Sequence, residues 1–145
     1  MYNLILGNIR ISCIDTRLNL VIELEPVGSP TATIIINNQQ YDYPQLTSPI
    51  IIDEYLPLMA LINIDIILSD KHYTTEYETA VIIRRLSIDN IELIPEYDYL
   101  ANYINDHNNT NPTSYLGFNG KWRLTIDRPF YHWLHQHSGQ GWLIG

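Results

Sequence analysis

Apolar side chains recur at every second position through several stretches of this chain, and this alternation constrains the fold more than any other feature. In the clearest case Ile62, Ile64, Ile66 and Leu68 share a face opposite Asn63. Successive side chains of a β-strand point to opposite sides, so one face of such a segment packs inward while the other meets solvent. The pattern therefore predicts a half-buried strand.

Other segments have the same character, and breaks rich in Pro, Gly, Asn or Asp separate them. These predicted strands are Leu18–Leu24, Thr31–Ile36, 41–46, Pro49–Asp53, Ala80–Ile83 and Ile91–Leu93. Six or more strands at roughly ten-residue spacing, without helical stretches between them, predict an all-β fold. We expect an antiparallel β-sandwich of jelly-roll type.

The pair Arg84-Arg85 interrupts the alternation and leaves two interpretations open. Either the strand leaves the core there, or a β-bulge re-aims it so that Leu86 and Ile88 point inward again. In both cases a turn is expected at Asp89-Asn90.

After Pro95 the period changes, since Tyr99, Leu100, Tyr103 and Ile104 fall at helical spacing. We expect a short helix there, followed by a polar loop up to Ser114. The chain of 145 residues suits one domain. Its expected parts are a sandwich core over 1–96, a short helix and loop over 97–117, and an aromatic C-terminal segment over 118–145.

That C-terminal segment holds all three tryptophans, both phenylalanines and three of the five histidines. Trp122, Leu124 and Ile126 alternate as in a strand, whereas Pro129 suits the start of a short helix that Gly139 would end. A segment with this much apolar area must be covered. We expect it to pack on the sandwich or on a partner.

Charge and cysteine content exclude several classes of function. A net charge of −8 would repel phosphate backbones and anionic lipid surfaces, so neither nucleic acid nor membrane is an expected partner. The lone Cys13, flanked by isoleucines, is expected to be buried and allows no internal disulfide. The first residues lack a basic and a long apolar region, so we expect synthesis in the cytoplasm without a signal peptide.

No arrangement of reactive side chains predicts catalysis, and we expect no enzyme, no metal and no cofactor. On a helix His132 and His135 share a face while His137 points away, which argues against a metal site. No nucleophile motif accompanies them. The acidic turns could bring oxygen ligands for calcium together at the ends of a sandwich, but no twelve-residue loop has the required spacing. These calcium candidates are Asp65, Asp70, Asp89, Asn90 and Asp106.

The aromatic side chains favour binding, and three interpretations stay open. The tryptophans could attach the C-terminal segment to the sandwich, contact another subunit, or act with Tyr73, Tyr77 and Tyr115 as flat faces for sugar rings. The predicted binding residues are Tyr115, Trp122, Tyr131, Trp133 and Trp142.

Two resemblances extend this interpretation. The stretch Ile82–Leu93 resembles the closing hairpin of carbohydrate-binding-module β-sandwiches, although Asn90 stands where a glycine is usual. The stretches Phe130-Tyr131-His132-Trp133-Leu134 and Gly139-Gln140-Gly141-Trp142-Leu143 look like the ends of small tailed-bacteriophage proteins. The resemblances imply a non-enzymatic virion protein, associated with capsid or tail.

Such a protein would reside in the virion after synthesis in the host cytoplasm. Its partners would be other virion proteins or copies of itself. The alternative is a glycan-binding β-sandwich module used for adhesion to a host or surface.

Overall fold

The computed structural model describes residues 3–6, 9–12, 17–73, 76–108 and 113–138, the first two ranges as backbone alone. Twelve strands, one turn of 3-10 helix and one α-helix occur in these ranges. The strands are β1 Asn3–Leu6, β2 Ile9–Ser12, β3 Arg17–Val27, β4 Thr31–Ile36, β5 Gln39–Tyr43, β6 Ile50–Pro57, β7 Ile62–Ser69, β8 Ala80–Ile88, β9 Ile91–Glu92, β10 Asn102–Asn105, β11 Tyr115–Leu116 and β12 Gly120–Ile126. The 3-10 turn is Asp98–Leu100 and the α-helix, α1, is Phe130–His137. No helix in these ranges has the length and apolar character to cross a membrane.

Apart from the separate pair β1-β2, the strands form two antiparallel sheets, so the predicted β-sandwich class is confirmed. Sheet one has the order β11-β8-β3-β6, with β9 paired to β8. Sheet two has the order β10-β12-β7-β4-β5, and β1 pairs with β2. From β5 to β8 the chain changes sheet at every connection, and β7 of sheet two is thus followed by β8 of sheet one.

The alternating segments supply the inner faces of the two sheets. Leu18, Leu20 and Ile22 of β3 are fully buried, and so are Ile64 and Ile66 of β7. Burying one such side chain is worth about 1.5–3 kcal/mol. The core of the protein is therefore the layer that the sequence period predicts.

Arg84 and Arg85 lie at a β-bulge, which is the second of the two interpretations given for this pair. Glu23 pairs with Arg85, but the next residue, Leu24, pairs with Ile83, so Arg84 is the extra residue of β8. Beyond the bulge Leu86 is fully buried again. The displaced guanidinium groups form surface ion pairs, which contribute little to stability, and the bulge itself restores the inward face.

The described part of the C-terminal segment, residues 118–138, packs on its own sandwich. Strand β12 lies inside sheet two, paired with β7 and β10, and places Trp122 in the core at 1% exposure. Helix α1 follows Pro129 as predicted and buries Phe130 and Trp133. Gly139 and Trp142 lie outside the described residues.

The helix expected over residues 99–104 is wrong beyond its first turn. Only Asp98–Leu100 is helical, and the chain then extends into β10, where Tyr103 lies opposite Trp122. A free strand edge at β12 offers backbone hydrogen bonds and a buried position for the Tyr103 ring. Pairing with β12 outweighs the local helical spacing.

Candidate functional site

A cleft opens at the end of the sandwich where β7 leaves sheet two and β8 enters sheet one. Its volume is about 320 Å³, and we call it the tyrosine cleft. The residues that line it are Lys71, His72, Tyr73, Glu76, Tyr77, Glu78 and Phe118. Lys71 lies two residues after the end of β7 and Glu78 two residues before the start of β8, so the sandwich fixes both sides of the cleft.

Lys71 is held by three acceptors at the base of the cleft. Its ammonium group donates to the carboxylate of Glu78, to the backbone oxygen of Thr79 at 2.8 Å and to that of Gly117 at 2.6 Å. The side chain is 9% exposed. An ammonium group has three donors, so this environment uses all of them and ties together three chain segments.

Asn119 and Tyr73 form the second fixed point. The Asn119 side chain accepts from the backbone N–H of Lys71 at 2.8 Å and donates to the backbone oxygen of Lys71 at 2.9 Å. The hydroxyl of Tyr73 accepts from the backbone N–H of Asn119 at 2.7 Å and donates to Asp106 at 3.2 Å. Burial, together with Asp106, raises the pKa of Tyr73, so the phenol stays neutral.

The wall of the cleft behind Tyr73 is aromatic. His107 stacks on Phe118 at 4.1 Å between ring centroids, and its edge meets the Tyr73 ring at 4.8 Å. Tyr103 donates to the backbone oxygen of Phe118 and accepts from its N–H at 2.9 Å. Burial raises the pKa of Tyr103 to about 12. The backbone at Phe118 is therefore fixed from the core side.

A glycine lets the turn after β3 approach the side of the cleft that carries Glu78. Gly28 follows β3 with a φ of +68°, a conformation that L side chains rarely adopt. A Cβ there would lie 2.6 Å from the backbone oxygen of Glu78. The turn after β3 thus packs closely against the segment that carries Glu78.

Tyrosine rings stand at the mouth of the cleft. Tyr77 is 79% exposed and Tyr73 is 42% exposed. Tyr115, on β11, hydrogen-bonds to Glu78, and burial followed by the charge of Glu78 raises its pKa. Aromatic faces beside carboxylates and a fixed polar wall can bind a ligand that has both apolar faces and hydrogen-bonding groups.

The structure separates the five predicted binding residues. Trp122 and Trp133 are 1% and 2% exposed, so neither ring offers a face to a partner or sugar, and the prediction is corrected on this point. Their apolar area is covered by the chain's own sheets. Tyr115 lies beside the tyrosine cleft, and Trp142 lies outside the described residues.

Tyr131 lies at the opposite end of the sandwich. Its hydroxyl donates to Asp89 at 2.8 Å, and the other oxygen of that carboxylate accepts from the backbone N–H of Asn19. Burial and this hydrogen bond raise the pKa of Tyr131 to about 12. Asp89 follows the end of β8, whereas Tyr115 pairs with Ile82 near its start, so the positions along β8 that these two tyrosines contact are about 20 Å apart. They do not form one site.

The acidic residues weighed for calcium are also dispersed. Asp65 pairs with Arg123 on the face of sheet two, Asp89 binds Tyr131, and Asp106 binds Tyr73. Within the ranges that the structure describes, no three His, Cys, Asp or Glu side chains are grouped to hold a metal ion.

The fixed polar groups of the cleft escaped sequence reasoning. Lys71 and Asn119 are 48 positions apart and joined by two hydrogen bonds, a contact that no local pattern in the sequence indicates. Tyr73, Tyr77 and Tyr115 were named as possible sugar faces. The sequence feature that points to these tyrosines is that acidic residues lie beside them near the ends of predicted strands.

The ion pair at the base of the cleft gives a prediction for acid stability. The hydrogen bond from Lys71 lowers the pKa of Glu78 from its ordinary 4.5. A lowered folded-state pKa stabilises the fold above the unfolded value, and this contribution is lost as pH falls through the folded value. Melting temperatures from about pH 7 to about pH 3 should therefore show the parent's advantage over Glu78→Gln shrinking below about pH 4.5.

The matched control for that measurement is Glu76→Gln, which removes a carboxylate from the same loop without touching the Lys71 ion pair. It should keep the acid-dependent loss that Glu78→Gln lacks. Parallel curves for the parent and Glu78→Gln would contradict the assigned role of Glu78.

Comparisons with known proteins identify no family. No family model and no curated protein matches the chain. Two solved structures of vCBM60 resemble it, one described in work on two families of calcium-dependent carbohydrate-binding modules and the other in complex with galactobiose. The first is 10% identical with a TM-score of 0.47, over 77% of this chain and 91% of the other. The second is 8% identical with a TM-score of 0.47, over 75% and 97%. Identities this low carry no residue across, and the function proposed below rests on the cleft.

Proposed function

We propose that this chain is a non-enzymatic glycan-binding module and that the tyrosine cleft is its binding site. The observation that carries the proposal is the Tyr77 ring, 79% exposed at the mouth of a recess whose walls are fixed by hydrogen bonds. The exposed face of this ring lies beside the hydrogen-bonding groups of the cleft, so a ring-shaped ligand could stack on it and be hydrogen-bonded at the same time. A sugar ring supplies the matching apolar face.

Polar groups around the ring supply the second requirement for sugar binding. Glu76 and Glu78 line the cleft, and carboxylates accept hydrogen bonds from sugar hydroxyls. A volume of about 320 Å³ accommodates one or two sugar rings and is at the lower end for small-molecule sites. The site combines stacking with directional hydrogen bonding.

The fixed walls favour binding further. Lys71 and Asn119 join the loop after β7 to the segment before β12, so the cleft is preformed. A preformed site avoids the entropy cost of ordering its own side chains on binding.

Replacing Tyr77 by alanine tests the proposal. We expect glycan affinity to fall at least about tenfold, because the stacking face is lost, while the melting temperature changes little. The measurement is a glycan array to find a ligand, followed by calorimetric titration of parent and variant.

Tyr99→Ala is the matched control, since Tyr99 is 54% exposed but lies on the 3-10 turn, outside the cleft. It should bind as the parent does. Unchanged affinity in Tyr77→Ala, or an array without any ligand, would refute glycan binding at this cleft.

A virion component acting through subunit contacts stays a prediction, and so do residence in the virion and the lack of enzymatic activity. The two tryptophans that were expected to supply such a contact are buried in the chain's own core. We therefore advance the alternative interpretation, glycan binding, as the proposed function.

A further inference from the structure

We infer that the tyrosine cleft accepts sugars without negative charge, both neutral sugars and amino sugars, and rejects uronic acids and sulfated sugars. This inference rests on the proposed function and names the ligand class of the same site. It follows from the state of Lys71 and from the carboxylates around it.

Lys71 is the cation that lines the cleft, yet it has no donor to spare. Its three acceptors are Glu78, the Thr79 oxygen and the Gly117 oxygen, and only 9% of its side chain is exposed. A carboxylate or sulfate on a sugar could be bound by Lys71 only after one of these bonds broke. Lys71 therefore holds the segments of the cleft together and does not bind an anionic ligand.

Among the described residues in and just behind the cleft, the other side chains that are fully ionised at neutral pH are carboxylates. Glu76 lines the cleft, Glu78 is 53% exposed, and Asp106 lies just behind the Tyr73 hydroxyl. Counting these three carboxylates against Lys71 leaves a local charge of about −2. The whole chain carries −8, so the wider field has the same sign.

The hydrogen-bonding chemistry of the carboxylates favours the same ligands as the negative electrostatic field. A carboxylate accepts hydrogen bonds but donates none when ionised, so it pairs with sugar hydroxyls or with the ammonium of an amino sugar. A uronic acid presents acceptors and charge of the wrong sign. Each unit charge about 6 Å away in a water-like environment changes affinity roughly threefold, so two give about tenfold.

The test compares sugars of the same ring stereochemistry in which one hydroxyl-bearing position is replaced by a charged group. Immobilised glucose, glucosamine and glucuronic acid, with the corresponding galactose and mannose series, would be probed with the full chain at low and at high salt. We expect the neutral and amino members of at least one series to bind, and its uronic acid to bind about tenfold more weakly at low salt. Salt should narrow that ratio.

Two variants of Glu78 separate charge from hydrogen bonding. Glu78→Gln removes the charge but keeps an acceptor for Lys71, so the ratio should fall to about threefold. Glu78→Ala also releases a Lys71 donor, so the uronic acid should bind as well as the neutral sugar or better. Melting temperatures verify that both variants fold.

The outcomes distinguish this inference from the proposed function. A parent protein that binds uronic acids as tightly as neutral sugars, through a site that Tyr77→Ala abolishes, would overturn the inference and leave glycan binding standing. If no series bound at all, the proposed function would fail, and the inference with it.

Discussion

Replacing Trp122 by alanine is expected to lower the free energy of unfolding by about 3–5 kcal/mol. The ring is 1% exposed on β12, which is paired on both sides, by β10 and by β7. Sheets held by backbone hydrogen bonds cannot collapse into the space that the indole leaves. The cost therefore includes the lost transfer of the ring out of water and the cavity that remains.

Urea unfolding followed by circular dichroism measures this loss, with Tyr99→Ala as the control for removing an exposed aromatic ring. Tyr99→Ala should change the free energy of unfolding by at most about 0.5 kcal/mol. Similar midpoints for the two variants would contradict the burial of Trp122.

The same experiment separates the two explanations of the aromatic C-terminal segment. If Trp122 is covered by its own sandwich, its replacement destabilises the chain equally at all protein concentrations. If a partner copy covered it, the loss would grow with concentration, because association would stabilise only the parent. We expect no dependence on concentration.

The sandwich could be predicted from sequence because the strand period is a local signal. On β7, the face that carries Ile62, Ile64 and Ile66 can be assigned without knowing any neighbouring strand. On β8, the two interpretations of Arg84-Arg85 differ only in whether a bulge turns the later residues inward again. By contrast, residues 99–104 fit both a helix and a strand. Pairing with β12 decided between them, and no local pattern contains that contact.

The site was harder to predict than the fold because it lies where distant strand ends meet. Tyr77 could be named as an exposed ring from its polar neighbours, but the contact of Lys71 with Gly117 joins residues 46 positions apart. The predicted exposure of the tryptophans is wrong for the same reason. Clustering in sequence suggested a surface, whereas alternation along β12 turned Trp122 inward and α1 turned Trp133 onto the core.

Replacing Lys71 by methionine is expected to lower the free energy of unfolding by about 2–4 kcal/mol and to abolish glycan binding. Methionine keeps the length of the side chain but donates no hydrogen bond. The backbone oxygens of Thr79 and Gly117 then lose the donor that joins their segments. Glu78, at 53% exposure, is released from the base of the cleft.

Lys121→Met is the matched control, because Lys121 lies on β12, where it pairs with Ile104 and Ile67, and does not line the cleft. It removes the same charge from the chain, so any general effect of net charge is shared. Stability is measured by urea unfolding, and affinity by titration with the glycan that the array identifies. A Lys71→Met protein that bound this glycan like the Lys121→Met protein would contradict the structural role of Lys71. If Lys71→Met loses binding and Lys121→Met keeps it, Lys71 contributes to binding by holding three chain segments in place, since its hydrogen-bond donors are already used.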